Sequence, residues 1–420
     1  MTTPGSSPSL ARRLTTADAV LIGVGSMVGA GIFSAFAPAA RAAGGWLLAA
    51  LGVAAVVALC NATSSAQLAA QYPTSGGTYV YGRERLGPWW GFTAGWAFVI
   101  GKTASCAAMA LVFAAYVVPG PWQKMAAVLA VVSLAAVNYR GITRTAQLTR
   151  IIVVTVIAAL CVVLVVVTAL GAVTSGPLPE APGQVGPAGV LQGAAILFFA
   201  FAGYARIATL GEEVVDPGRT IPRAILMAFA VVVPLYAVTA VVLVRSLGTA
   251  GLALSSAPLR DAAVTVDAAA WLQALVVLAA AAATLGALLA LVAGVGRTAL
   301  AMARHGDLPR PLAAVHPRYS VPHVAEVAVA TVVSLLVLLG DLRGVIGFSS
   351  FGVLIYYAVA NAAALTQDPL HRRYPRALAV TGLGGCVALA LAVPSASLVA
   401  GAVVLASGLL GRLVVLRRRP

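Results

Sequence analysis

Charge is what this 420-residue chain has least of. Only 9% of its residues are charged, and just 12 are Asp or Glu. Soluble domains carry about 25% charged residues, so this shortage excludes a string of soluble domains. Cysteine and histidine are equally scarce, at four each. Cys60, Cys106, Cys161 and Cys386 fall in four different apolar stretches, so no disulfide pairing is legible and they read as small buried hydrophobes. His305, His316, His323 and His371 lie in or beside polar connections without ligand spacing, so neither a metal site nor a cofactor is expected. The chain shows no grouped acid, base or nucleophile, which argues against an enzyme. Its apolar stretches hold too few polar residues to line a continuous channel.

What the sequence does have is grease. Hydrophobic residues make up 61% and mean hydropathy is +0.98, the composition of a polytopic membrane protein. About twelve apolar spans begin near Asp18, Gly44, Trp89, Trp122, Arg150, Gly189, Pro222, Ala268, Pro322, Val345, Ala377 and Ser395, and are called helices 1 to 12 below. No small-residue cleavage site follows the first span, so it reads as a retained helix behind a short tail, residues 1–14. The net charge of +15 need not mean nucleic acid. If the N-terminus is cytoplasmic, only Arg41, Lys124, Arg245, Arg260 and Arg343 fall outside, and Lys102 and Arg206 fall within spans. The remaining Lys and Arg, including the closing Arg417-Arg418-Arg419, are on the inner side. This asymmetry predicts a plasma-membrane protein with both termini in the cytoplasm.

Helices 1 and 6 break the pattern. In GVGSMVGAGIF, Gly23, Gly25, Gly29 and Gly31 crowd one span, and each interior glycine costs a helix about 1 kcal/mol relative to alanine. The helix is expected to open at Gly29-Ala30-Gly31, freeing backbone N–H groups that bind a carboxylate. The same glycines also suit close helix–helix packing. Helix 6 repeats the anomaly with Ala202-Gly203 in LFFAFAGYARIATLGEE. It lies five spans later, an odd offset that reverses its direction through the membrane. Interrupted helices at matching positions of two inverted halves point to a transport site at the midplane. The boundaries expected are a first five-helix repeat over 15–173, an outer loop at 174–188 and a second repeat over 189–366. Accessory helices 11 and 12 with a basic tail occupy 367–420.

Two basic residues sit at membrane depth, where an ionisable group is a functional-site hypothesis by default. Lys102 lies about 20 Å along helix 3 at 1.5 Å per residue, and no Asp or Glu sits deep in a span to offset it. It is the candidate coupling residue, with a structural lysine bonded to carbonyls as the alternative. Arg206 either reads a second substrate carboxylate or caps carbonyls of the broken helix. Behind helix 6, Glu212, Glu213 and Asp216 face Arg219 and Arg223 across a proline-bounded turn. This is a candidate gate (Glu212, Glu213, Arg219) or an ordinary solvated charge run.

The ordered motifs resemble the amino acid–polyamine–organocation permeases. They are GAGIF at Gly29 to Phe33, FFAFAGY followed by EEVVDPGRTIPRAI, the GxxR…AMARHGDLP pattern from Gly294 to Pro309, and SFGVLIYY followed by NAAAL. The resemblance covers about Leu14 to Leu365. It implies a LeuT-type fold, all-α, with a 5+5 inverted repeat, broken helices 1 and 6 and two added helices. It implies a substrate carboxylate at the N–H groups of Ala30, Gly31 and Ile32, beside Gly29 and Gly203. The substrate amine would meet carbonyls near Met27, Phe198, Phe199 and Phe201, with the Phe199 ring closing over it. Two departures bear on coupling: the helix 5 lysine of some proton-coupled members is missing near Thr155-Val156, and helix 8 offers only Thr284 where sodium-coupled relatives use adjacent hydroxyls. Fixed positive charge without a carboxylate disfavours polyamines, lysine and arginine. The expected function is secondary active transport of neutral, apolar amino acids by alternating access, as proton symport or as exchange. An acidic amino acid or small carboxylate substrate, or a non-transporting sensor, stands as the alternative. Expected partners are the amino acid, a proton as candidate co-substrate and the bilayer, with no nucleic acid.

Overall fold

The computed structural model describes residues 14–29, 31–74, 76–141, 146–171 and 186–417. Ala30, tail residues 1–13, loop residues 174–185 and the closing Arg418 and Arg419 lie outside the described residues. Among the described residues, ten helices are long and apolar enough to cross a membrane, and His323–Leu339 and Arg376–Ala392 are shorter apolar helices. Together they coincide with the twelve apolar stretches expected, and the chain is an all-α polytopic membrane protein.

Local chemistry sets the helix ends. Helix 1 starts at Thr16 behind a capping box: Asp18 N–H donates to Thr15 Oγ1 at 3.3 Å and Thr15 N–H donates to Asp18 Oδ2 at 3.0 Å. It runs as Thr16–Val28, Gly31–Ser34 and Phe36–Ala43. Helix 2 is Leu47–Gln71 and helix 3 is Pro88–Val117, with proline in its first turn where no N–H is missed. Helix 4 is Gln123–Tyr139 and helix 5 is Ala146–Gly171. Helix 6 comprises Pro187–Phe201, a 3₁₀ turn at Ala202–Tyr204 and Ala205–Ala208. Helix 7, Pro217–Leu254, bends at Gly248, whose φ is 66°. Helix 8 is Ala270–Arg304, helix 9 His323–Leu339, helix 10 Leu342–Leu365, helix 11 Arg376–Ala392 and helix 12 Ser395–Arg417.

Two short helices were not foreseen: Thr78–Leu86 between helices 2 and 3 and Pro258–Thr265 after helix 7. Helix 8 continues through GRTALAMAR to Arg304, because that stretch turns polar without losing helix formers.

Helices 3 and 10 are the most buried spans, whereas helices 4 and 12 turn most of their surface outward. Glycines let the buried pair approach closely. A Cβ on Gly352 would lie 2.8 Å from the Ala97 carbonyl, and beside it the hydroxyls of Ser105 and Ser349 meet at 2.7 Å. Helix 11 joins this centre through buried side chains. Asn361 Nδ2 donates to Asn61 Oδ1 at 2.6 Å, Ser64 Oγ donates to Asn361 Oδ1 at 2.7 Å, and Cys386 Sγ lies 3.3 Å from Asn61 Oδ1. Leu14 pairs with the segment after helix 6. Its N–H donates to Glu213 O, its carbonyl accepts from Val215 N–H, and each bond is 3.0 Å.

Candidate substrate site at the helix breaks

The break in helix 1 follows from backbone geometry. Gly29 ends the first segment at φ −37°, ψ −110°, with its N–H on Gly25 O, and the second segment opens at Gly31. In an unbroken helix the Met27 carbonyl would accept from the Gly31 N–H. Here it is 2.7 Å from the Tyr236 hydroxyl instead. Gly31 and Ile32 head the second segment, where N–H groups have no intrahelical acceptor.

Helix 6 tightens where helix 1 opens. The Ala202 N–H is shared by the carbonyls of Phe198 and Phe199, and a 3₁₀ turn follows. Two side chains converge on the Ala202 carbonyl: Lys102 Nζ donates at 3.0 Å and the Tyr357 hydroxyl at 3.2 Å. The Tyr236 hydroxyl also lies 3.0 Å from Ala200 O. Its single hydrogen therefore serves carbonyls of both interrupted helices in turn.

The two breaks face each other at backbone distance. A Cβ on Gly203 would collide with the Ser26 carbonyl and the Met27 nitrogen, and one on Gly31 would lie 2.5 Å from Ala200 Cα. Gly29 packs against helix 8, where a Cβ would come within 2.9 Å of Ala287 Cβ. Met27, Ile32, Phe198, Phe199 and Phe201 are all buried. Phe198 meets Tyr357 edge-on at 5.8 Å, and Phe201 stacks on Phe229 at 6.0 Å.

Lys102, deep in helix 3 and 5% exposed, thus reaches the helix 6 turn directly. Arg206 is only partly buried, and its Nη1 donates to Thr209 Oγ1 at 3.3 Å rather than to a carbonyl at the break. Arg219 sits 3.9 Å from Asp216 on the exposed turn after helix 6, while Glu213 engages Leu14 through its backbone carbonyl. Thr284 turns its hydroxyl back onto Ala280 O at 2.6 Å. Among the described residues, no group of His, Cys, Asp and Glu could hold a metal ion.

Sequence reasoning missed Tyr236 and left Tyr357 unassigned. Tyr236 follows Pro234 in an otherwise apolar run, and Tyr357 closes the SFGVLIYY motif. A tyrosine at that depth with an unpaired hydroxyl is the signal that could have found both.

Two interrupted membrane helices that meet at a buried centre, with backbone groups freed there, are the arrangement of a transporter site. Residues 14–410 match the model of the family described as Amino acid permease, and the chain belongs to that family. It is therefore an amino acid transporter of the amino acid–polyamine–organocation class. It is 56% identical over 405 residues to an uncharacterized transporter of Mycobacterium tuberculosis, covering 95% of this chain and 90% of that protein. The branched-chain amino acid permease BcaP of Bacillus subtilis is 25% identical over 401 residues, covering 89% of this chain and 85% of that one. Human cationic amino acid transporter 4 is 29% identical over 378 residues, covering 83% of this chain and 58% of that one.

Proposed function

We propose that the protein is a secondary active transporter of neutral, apolar amino acids in the plasma membrane, with both termini cytoplasmic and Lys102 coupling transport to protons. The observation that carries the reading is the Lys102 ammonium on the Ala202 carbonyl, buried at the turn of helix 6. The carboxylate of the substrate meets the N–H groups of Gly31 and Ile32 at the head of the second segment of helix 1. Its amine turns toward the carbonyls near Met27 and Phe199, and its side chain lies among Phe198, Phe199 and Phe201.

A cationic side chain would bring a second positive charge beside Lys102, with no acidic side chain among that ammonium's hydrogen-bond partners. Like charges in a low dielectric repel strongly. The branched-chain permease is the relative whose named substrates fit this lining, and the relatives named cationic transporters are the ones it sets this chain apart from. Lys102 can exchange a proton where Arg206 cannot, so proton coupling falls to Lys102, and a lone Thr284 in the place where sodium-coupled relatives use adjacent hydroxyls argues against sodium. Uptake of labelled leucine, lysine and putrescine into proteoliposomes tests the substrate class. Leucine uptake that excess lysine leaves untouched supports the reading, and strong lysine or putrescine uptake overturns it.

A further inference from the structure

The connection from helix 10 to helix 11 is pinned to the end of helix 2 and the start of helix 7. Gln367 Nε2 donates to Gln71 Oε1 at 2.6 Å, and the N–H groups of Arg373 and Tyr374 donate to Gln67 Oε1 at 3.2 and 3.3 Å. Arg372 Nη2 donates to Gln367 O at 2.6 Å, and Arg373 Nη1 donates to the carbonyl of Gly218 in the first turn of helix 7. Beside these bonds lies a cavity of about 100 Å³, lined by Ala70, Gln71, Leu370, His371 and Arg373. It has room for about three waters, the scale of one phosphate group.

Positive charge is in surplus here. The two aspartates of these connections are taken, Asp368 by Arg85 at 3.6 Å and Asp216 by Arg219 at 3.9 Å. Among the described residues, Arg223, Arg372, Arg373 and Arg376 form no ion pair, and Arg223, Arg373 and Arg376 are exposed. Leu370, which lines the cavity, is 94% exposed, and no large apolar side chain among the described residues is more so. Water disfavours an apolar side chain so placed, whereas acyl chains take it up.

We propose that this corner of the protein binds the headgroup of an anionic phospholipid. The lipid phosphate enters the cavity and accepts charge-assisted hydrogen bonds from the Arg373 guanidinium, with the His371 ring as a further donor. Gly218 O takes only one nitrogen of that guanidinium, and a guanidinium carries five N–H donors. Arg223 and Arg376 add attraction for negative charge at the bilayer surface, and Leu370 lies among the acyl chains. The surplus charge selects an anionic lipid over phosphatidylcholine, whose trimethylammonium group would meet the same guanidiniums.

The test places a fluorescent maleimide on Val380→Cys, an exposed position of helix 11 one turn beyond Arg376 and outside the cavity. Exposed Cys161 is removed by Cys161→Ala, and the other three cysteines are buried. The full chain is reconstituted in vesicles of four parts phosphatidylcholine to one part phosphatidylglycerol. Bromines are carried on the acyl chains either of the phosphatidylglycerol or of an equal amount of the phosphatidylcholine. Brominated phosphatidylglycerol is expected to quench the label severalfold more, with or without inorganic phosphate in the buffer. Arg373→Gln is expected to make the two lipids equal. Arg223→Gln, which leaves the Gly218 contact intact, is expected to reduce the preference. Equal quenching in the labelled parent, a preference that survives both substitutions, or one that inorganic phosphate abolishes overturns the lipid site.

Discussion

Arg412, near the end of the chain, donates to Asp307 Oδ1 at 2.5 Å, and both side chains are less than a tenth exposed. The guanidinium also lies over the rings of Trp89 and Phe92, with its carbon 5.1 and 4.7 Å from the centroids. Asp307 accepts from the Tyr79 hydroxyl at 2.9 Å and lies 3.5 Å from Arg83. Burial, with Asp307 beside it, pushes the Tyr79 phenol above its ordinary range, so it remains a donor. One carboxylate in the loop after helix 8 therefore ties together the short helix Thr78–Leu86, the start of helix 3 and helix 12.

Removing one partner of a buried ion pair leaves the other charge uncompensated, at a cost of about 3 kcal/mol or more. Arg412→Ala is expected to lower unfolding stability by about that amount. Asp307→Asn in the same chain should recover part of the loss. A double-mutant cycle in mild detergent checks this, and strictly additive losses would refute the coupling.

Glycine substitutions should separate packing from loose helix geometry. Overpacking a tight contact costs about 1–3 kcal/mol. Gly31→Ala and Gly203→Ala drive a methyl into Ala200 and into the Ser26–Met27 backbone respectively, so both should lose leucine uptake. Gly52→Ala, whose methyl meets nothing within 4 Å, should keep it. Comparable losses in all three would mean that helix propensity rather than the break is being measured.

The buried amide pair between helices 2 and 10 gives a third expectation. Asn361→Leu takes from Ser64 its acceptor and leaves Asn61 Oδ1 with only the Cys386 thiol, and a buried polar group left unpaired costs about 1–3 kcal/mol. Thermal unfolding should show a large loss, whereas Ser407→Ala, which removes an exposed hydroxyl bonded to Val404 O, should change little.

The spans were legible in the sequence because bilayer solvation is a matter of composition, and the breaks were legible because glycine announces them at Gly29, Gly31 and Gly203. The groups that take up the freed carbonyls were not. Whether Lys102 reaches Ala202 depends on how helix 3 docks against helix 6, and no local pattern encodes that. The short helix Thr78–Leu86 was hidden by Gly77 and Gly87, which bound it at positive φ of 54° and 102° rather than dissolving it. Nothing local distinguishes Arg412 from the basic run that closes the chain; only the fold gathers Trp89, Phe92 and Asp307 around it.

Lys102 carries the central claim, and one measurement addresses it most directly: initial leucine uptake into proteoliposomes, with and without an inward proton gradient, for the wild type, Lys102→Gln and Lys102→Ala. The account predicts that the gradient stimulates wild-type uptake and that both variants lose this stimulation while still exchanging leucine across the membrane. Wild-type uptake indifferent to the gradient, or a Lys102→Ala protein with the same gradient dependence as the wild type, would contradict it.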